Sequence, residues 1–365
     1  MTGKINKWLL PFSILYGWIT WLRNRLFDWR ILPSEEFSIP VICVGNITVG
    51  GTGKTPHVEF LIRLLSEKYK VAVLSRGYKR KTRGFILADE KSTARSIGDE
   101  PYQIFRKFPQ IIVAVDSNRR RGIKALLNLS EDKRPDIILL DDAFQHRYVR
   151  PSLSILLTDS HRLIYEDTLL PAGRLRESLQ EKSRANIVIV TKCNPELKPI
   201  DYRVLAKNLD LYPYQTLFFT GLEYGNLIPY SKPEVSEGKS MEKIRDLSVF
   251  LIAGIADPGP FADKIKEYTS DVRTLFFPDH HAFSKSDLQK IETDFLEFEQ
   301  MHPEKKNIII TTEKDFARLS ESPYLSGKMK EICYYLPIEV VFKEDNELLF
   351  TQKIEKHVKY FKRDS

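Results

Sequence analysis

The sequence predicts an α/β protein built on a doubly wound, mostly parallel sheet, with a second, smaller α/β domain joined to it by a two-stranded linker. Three observations carry this. Apolar runs of strand length recur up to Val190, helical patterns separate them, and a similar alternation resumes after about Tyr214. Runs without polar alternation are expected where helices cover both faces of a parallel sheet.

The first strand reads as 39–44 (IPVICV), after a polar entry at 33–38. It is followed by 71–74 (VAVL), 111–115 (IIVAV), 137–140 (IILL), 153–157 (LSILL) and 187–190 (IVIV). In the second domain, 250–253 (FLIA) and 308–310 (III) read as strands, with an amphipathic helix over 285–301 between them. The β-rich segments 215–222 and 334–342 are positioned to pair as the linker. A helix over 348–361 then packs back. The expected division is a hydrophobic helix in 1–30, the main domain in 31–214, the second domain with its linker strands in 215–345, and the closing helix in 346–365.

Composition narrows the function classes. At 365 residues, with 42% hydrophobic and 29% charged content, the chain is an ordinary globular protein of two-domain size. Its 3 cysteines, Cys43, Cys193 and Cys333, are far apart and form neither a disulfide framework nor a zinc motif. The net charge of +7 favours anionic partners such as phosphates or acidic lipids. No nucleic-acid-binding signature accompanies it, so nucleic acid is not an expected partner.

The N-terminal run 8–22 (WLLPFSILYGWITWL) carries no charge. It is shorter than the roughly 20 residues that span a bilayer core. Lys4, Lys7, Arg23, Arg25 and Arg30 flank it, and Trp8, Tyr16, Trp18, Trp21 and Trp29 are side chains that favour the headgroup boundary. The run reads as a helix lying in a membrane surface, with a core helix packed on the domain as the alternative.

The sharpest motif is 45–56 (GNITVGGTGKTP), between a strand and a helix that starts near Pro56. It is a phosphate-binding P-loop in which residues 48–55, Thr48, Val49, Gly50, Gly51, Thr52, Gly53, Lys54 and Thr55, wrap a nucleotide's phosphates. Glycines let backbone N–H groups turn inward, and the helix N-terminus adds its dipole. Lys54 is positioned for the β- and γ-phosphates and the Thr55 hydroxyl for Mg²⁺. Thr48 stands where the strict pattern has its first glycine.

Residues 136–142 (DIILLDD) match the strand that delivers carboxylates to such a metal. Neighbouring strand residues point to opposite faces, so Asp141 and Asp142 both serve the site only if the strand has ended at Asp142. Residues 191–194 (TKCN) resemble the guanine-binding box of GTPases, but with Asn194 where guanine requires a carboxylate; this favours ATP over GTP. Asp116 follows a predicted parallel strand, where α/β sheets bind ligands; a helix N-cap is the alternative use of it. Arg76, Lys79, Arg80, Lys81, Arg83 and 119–121 (RRR) form basic runs open to an acceptor phosphate, to lipid headgroups or simply to solvent. Arg174 and Arg176 are candidates to neutralise a transferring phosphoryl group.

With 75–78 (SRGY), 98–101 (GDEP), 141–146 (DDAFQH), 170–177 (LPAGRLRE), 277–281 (FPDHH) and 312–315 (TEKD) in this order behind the P-loop, the chain resembles the tetraacyldisaccharide 4′-kinase family of lipid A synthesis. The resemblance runs over nearly the whole chain. It implies transfer of the ATP γ-phosphate, with Mg²⁺, to the 4′-hydroxyl of a tetraacylated glucosamine disaccharide 1-phosphate, at the cytoplasmic face of a bacterial inner membrane. It also implies that Thr55, Asp141, Asp142 and Glu177 hold the metal, that Asp116 is the general base and that His280 is its partner. Lys54 completes the catalytic set, residues 313–315 are expected near nucleotide or at the closing cleft, and a monomer is expected. A carboxylate base suits the chemistry, because a sugar hydroxyl is a poor nucleophile until its proton is accepted. The competing reading is a membrane-attached P-loop NTPase, a switch or metallochaperone, with no phosphoacceptor.

Overall fold

The computed structural model describes residues 6–230, 240–279, 281–320 and 322–361. Its strands, in chain order, are β1 (Val41–Gly45), β2 (Val71–Ser75), β3 (Ile86–Leu87), β4 (Ile112–Val115), β5 (Ile137–Asp141), β6 (Leu153–Asp159), β7 (Ile187–Thr191), β8 (Thr216–Tyr224), β9 (Ile228–Pro229), β10 (Leu247–Ala253), β11 (Val272–Phe276), β12 (Lys306–Thr312), β13 (Cys333–Leu336) and β14 (Ile338–Phe342). The chain divides into two compact units. Met1–Ser92, Lys107–Leu222 and Val340–Ser365 make the first, and Thr93–Arg106 with Glu223–Glu339 make the second. Segment 93–106 lies inside the 31–214 stretch of the sequence reading, yet it clusters with the second unit.

In the first unit the sheet order is β14-β8-β7-β6-β1-β5-β2-β4-β3. The ladders from β8 through β4 are parallel, and β3 adds antiparallel to β4. Every residue of β1, β2, β5 and β7 is buried, which is why these strands read as unbroken apolar runs. The chain winds one way from β1 to β2 and the other way from β6 to β8, so β1 lies at the switch where such sheets open a crevice. Register sets Val44 of β1 opposite Asp141 of β5, which brings the glycine-rich turn level with that carboxylate.

The β-rich stretch 334–342 is not one strand. Pro337, which has no N–H to give a ladder, separates β13 in the second sheet from β14, which lies beside β8 at the edge of the first. The closing helix Glu347–Phe361 then returns to the first unit. Phe350 meets Phe342 at 4.8 Å and Phe218 at 5.2 Å between ring centroids, and Phe60 meets Phe342 at 5.2 Å.

The helix Leu10–Asp28 also belongs to the first unit. Pro11 sits in its first turn, where its missing N–H costs nothing. Gly17 lets the helix lie close: a Cβ there would stand 2.8 Å from Leu169 Cδ1. Ser13, Asn24 and Phe27 are buried, whereas Phe12, Ile14, Leu15, Trp18 and Ile19 are each at least 60% exposed. The packed-helix reading describes its inner face, and the apolar outer face is exposed. Among the described residues no helix is long and apolar enough to cross a membrane.

The second unit has the sheet order β11-β10-β12-β13-β9, parallel except for β9. The helix Lys285–Met301 spans the residues expected of it and lays Leu288, Ile291, Phe295 and Phe298 against Phe250 and Ile309. Segment 93–106 is fastened here by charge. Arg318 donates to Asp99 at 3.1 and 2.9 Å, and Lys314 pairs with Glu100 at 2.9 Å. Asp315, fully buried, accepts from Gly254 N at 2.8 Å, Thr312 Oγ1 at 2.6 Å and Arg318 at 2.9 Å. The charges of Lys314 and Asp315, expected near nucleotide or at the closing cleft, hold the GDEP segment and the β10 turn.

Candidate active site

The loop after β1 takes its shape from buried hydrogen bonds. Asn46 Nδ2 donates to Thr52 Oγ1 at 2.9 Å, and Gln145 Nε2 donates to the Asn46 carbonyl at 2.7 Å. Thr191 at the end of β7 donates to the Thr52 carbonyl at 3.0 Å. On the other side Val49 N donates to Arg174 O at 2.8 Å and Arg176 N to Ile47 O at 2.7 Å. Segment 174–176 is thus an extra strand of the phosphate loop, and Thr48 is used in it as a bridge to Leu175. Gly53, at φ +78°, makes the left-handed turn into the helix Lys54–Ser66.

Beneath that turn lies His57. Its Nδ1 is 2.7 Å from the Gly53 carbonyl and its Nε2 is 3.0 Å from the Thr220 hydroxyl. A carbonyl only accepts, so Nδ1 carries the proton; neutral Nε2 then accepts from Thr220. Burial lowers this imidazole to about 4.

β5 ends at Asp141, and Asp142 adopts φ 47°, outside the strand, so strand alternation no longer sends its carboxylate to the opposite face. This meets the condition that the alternation of a strand imposed. Asp141 is buried and accepts from Ser75 Oγ at 3.2 Å. Asp142 lies 3.7 Å from Lys54 Nζ and accepts from Arg176 Nη1 at 3.3 Å on both oxygens. Burial works to raise the Asp142 carboxyl, but the charges of Lys54 and Arg176 outweigh it and hold it below its usual range.

Glu177 is also buried, but its partners are basic and amide groups. Arg184 donates to it at 2.5 Å, Asn24 at 3.3 Å and Gln145 at 3.4 Å. Among the described residues no three His, Cys, Asp or Glu side chains form a metal-holding group. Glu177, expected in the acidic metal set, is joined to the site by Gln145 and Arg184.

Asp116, after β4, is fully buried. It is not the helix N-cap. That position is Asn118, whose side chain accepts from Arg121 N at 3.1 Å. The Asp116 carboxylate accepts from Asn118 N at 2.9 Å and from Arg121 Nε and Nη2 at 2.7 and 2.8 Å. Burial opposes its charge, yet these bonds and the Arg80 charge hold it below the usual carboxylate range. Arg119, buried, joins the two acidic segments by donating to the Asp116 carbonyl at 2.9 Å and the Asp141 carbonyl at 3.2 Å. Burial lowers its guanidinium to about 10, still charged at neutral pH.

His280 and Lys4 lie outside the described residues. Asn194 is exposed and its side chain accepts from Glu196 N at 3.0 Å, and Lys192 pairs with Asp159 at 2.7 Å. Sequence reasoning missed Ser75, Gln145 and Arg184 as site residues, and named Arg121 only within a basic run, not as a partner of Asp116. Ser75 and Gln145 stand inside motifs already singled out; Arg121 is one of three adjacent arginines, and nothing local distinguishes it. Also missed were Ser13, Tyr16 and Asn24 of the first helix. Tyr16 Oη donates to Arg176 O at 2.8 Å, and Ser13 Oγ donates to Leu169 O at 2.9 Å.

A P-loop at the switch point of a parallel sheet, with an aspartate facing its lysine, defines a nucleotide-phosphate-binding α/β protein. Comparison carries this further. Residues 5–359 match the family described as tetraacyldisaccharide-1-P 4′-kinase, LpxK, and the chain belongs to that family. It is 52% identical to the tetraacyldisaccharide 4′-kinase of Parabacteroides distasonis over 357 residues, covering 98% of this chain and 96% of the relative. It is 51% identical to that of Bacteroides thetaiotaomicron, with 99% and 96% covered. The crystal structure of an LpxK from Aquifex aeolicus in complex with ATP superposes with a TM-score of 0.74 at 31% identity, covering 97% of this chain and 99% of that one.

Proposed function

We propose that the protein transfers the γ-phosphate of ATP to the 4′-hydroxyl of a tetraacylated glucosamine disaccharide 1-phosphate. The observation that carries this reading is the match over residues 5–359 on a chain whose P-loop lysine faces Asp142. Lys54 and the loop amides hold the β- and γ-phosphates, and Arg176 offsets charge on the transferring group. Asp116 accepts the hydroxyl proton.

The donors near Lys54 are a hydroxyl and carboxylates, the oxygen set that suits Mg²⁺, which binds through one or two carboxylates plus substrate phosphates. Thr55, Asp142 and Asp141 would hold it. When bound, the cation neutralises charge on the phosphates. Glu177 serves by fixing Arg184 and Gln145 behind them.

The bare face of the helix Leu10–Asp28 supports seating on a membrane surface, where an acylated acceptor resides. Arg76, Lys79 and Arg83 line an open basic pocket of about 590 Å³ that suits the acceptor's phosphate.

The test is incubation with ATP, Mg²⁺ and acylated glucosamine disaccharides, read by mass spectrometry. A product heavier by one phosphoryl group is expected with the 1-phosphate acceptor, and Lys54→Ala should abolish it. ATP consumption that is the same with and without acceptor would rule the kinase out.

A further inference from the structure

We propose that Arg121 is a latch on Asp116, released when the acceptor's 1-phosphate enters the basic pocket, so that the phosphate remote from the reaction exposes the base. The proposal rests on Asp116 being that base. Three observations carry it.

The first is the occupancy of the carboxylate. Among the described residues Oδ2 accepts from Arg121 Nε, whereas Oδ1 accepts from both Arg121 Nη2 and Asn118 N. With Arg121 in place, neither oxygen is well disposed to take a hydroxyl proton. Once it leaves, Oδ2 is open while Asn118 N still orients the group.

The second is which arginine is free to move. Arg80, the other cation facing Asp116, is tied to backbone, donating to Gly84 O at 2.6 Å and Val115 O at 3.4 Å. The Arg119 guanidinium is buried on carbonyls. Arg121 is half exposed, and the side-chain bonds described for it go to Asp116 alone.

The third is what lies in front of it. Arg121 lines the same cavity as Arg76, Lys79, Arg80 and Arg83. A phosphate entering there meets these cations and competes for the Arg121 fork with more charge than one carboxylate offers. The reaction then balances: the acceptor hydroxyl oxygen bonds to the γ-phosphorus, its proton passes to Asp116 Oδ2, and the bond to the β-phosphate oxygen breaks to release ADP.

The experiment compares the acylated disaccharide with and without its 1-phosphate, in neutral detergent micelles at saturating ATP. Loss of that phosphate should lower wild-type kcat about tenfold or more, toward the roughly 10²–10⁴-fold range of general-base effects. In Arg121→Gln, kcat should be the same on both acceptors, and the acid limb of kcat/KM should move to higher pH, since the cation that depresses Asp116 is gone. Arg121→Lys, which keeps the charge, should retain the phosphate dependence. Unchanged phosphate dependence of kcat, or an unmoved acid limb, in Arg121→Gln overturns the latch. Recovery of the dephosphorylated acceptor's kcat on vesicles containing an anionic phospholipid overturns the assignment to the acceptor's own phosphate. An Asp116→Asn enzyme with normal kcat removes the base itself; an inactive one, beside an Arg121→Gln enzyme of wild-type pattern, removes only the latch.

Discussion

The Tyr16 hydroxyl donates to the Arg176 carbonyl at 2.8 Å, so the helix that bears the exposed tryptophans is bonded to the residue whose side chain holds Asp142. Asn24, two turns on, reaches Glu177 from the same helix. One helix face therefore belongs to the phosphate site while the opposite face is bare. One element thus carries both an exposed apolar face and bonds to the segment beside the P-loop lysine's aspartate.

Substituting Trp18 and Trp21 by glutamate should detach the protein from vesicles without loosening ATP binding. Each side chain is worth about 2 kcal/mol of burial, so each change should weaken partitioning on the order of 30-fold. Co-sedimentation with lipid vesicles and ATP titration are the two readouts; equal sedimentation of the variant would mean that contact is made elsewhere.

Glu177→Ala should destabilise the protein even without metal. It strips a buried carboxylate from Arg184, and breaking such a pair costs about 3 kcal/mol or more. Glu181, 2.8 Å from Arg184 Nε, keeps the loss toward the low end. Chemical denaturation in the presence of a chelator checks this, and unchanged stability there would return Glu177 to a purely metal-binding role.

His57 makes stability depend on pH in one direction. Its folded value of about 4 lies below the unfolded value of 6.5, so the unfolded chain takes up protons first. The contribution is fully present above pH 6.5 and is lost as pH falls toward 4, by up to about 3 kcal/mol. His146, lowered to about 4 by burial and by Arg119 and Arg23, acts in the same sense. His57→Gln should flatten the slope of unfolding free energy between pH 6.5 and 4. A slope identical to wild type would show that the imidazole is not what titrates.

Arg318→Ala should cost about 3–5 kcal/mol, because it leaves Asp315 buried beside a lost cation and removes the Arg318 bonds to Asp99. Lys314→Ala removes a more open pair and should cost at most about 1 kcal/mol. Hydrogen exchange over 93–106 should rise in the first variant and hardly change in the second.

Much of this protein was legible in its sequence. The buried strands β1, β2, β5 and β7 are apolar on both faces and need no partner to be recognised. The P-loop declares itself because Gly50, Gly51 and Gly53 permit a backbone that few other sequences allow, and the DD pair marks where β5 stops. What the sequence left open concerns pairs of groups far apart along the chain. Whether Glu177 lies beside Arg184, whether Asp116 caps a helix or is clasped by Arg121, and which face of the first helix is packed are all decided by distance in space. Local pattern reports propensity and periodicity; a carboxylate's partner is set by where the sheet places it. Segment 93–106 is the plainest instance: its GDEP motif reads as part of the first domain, and its spatial contacts, those with Arg318 and Lys314 among them, group it with the second.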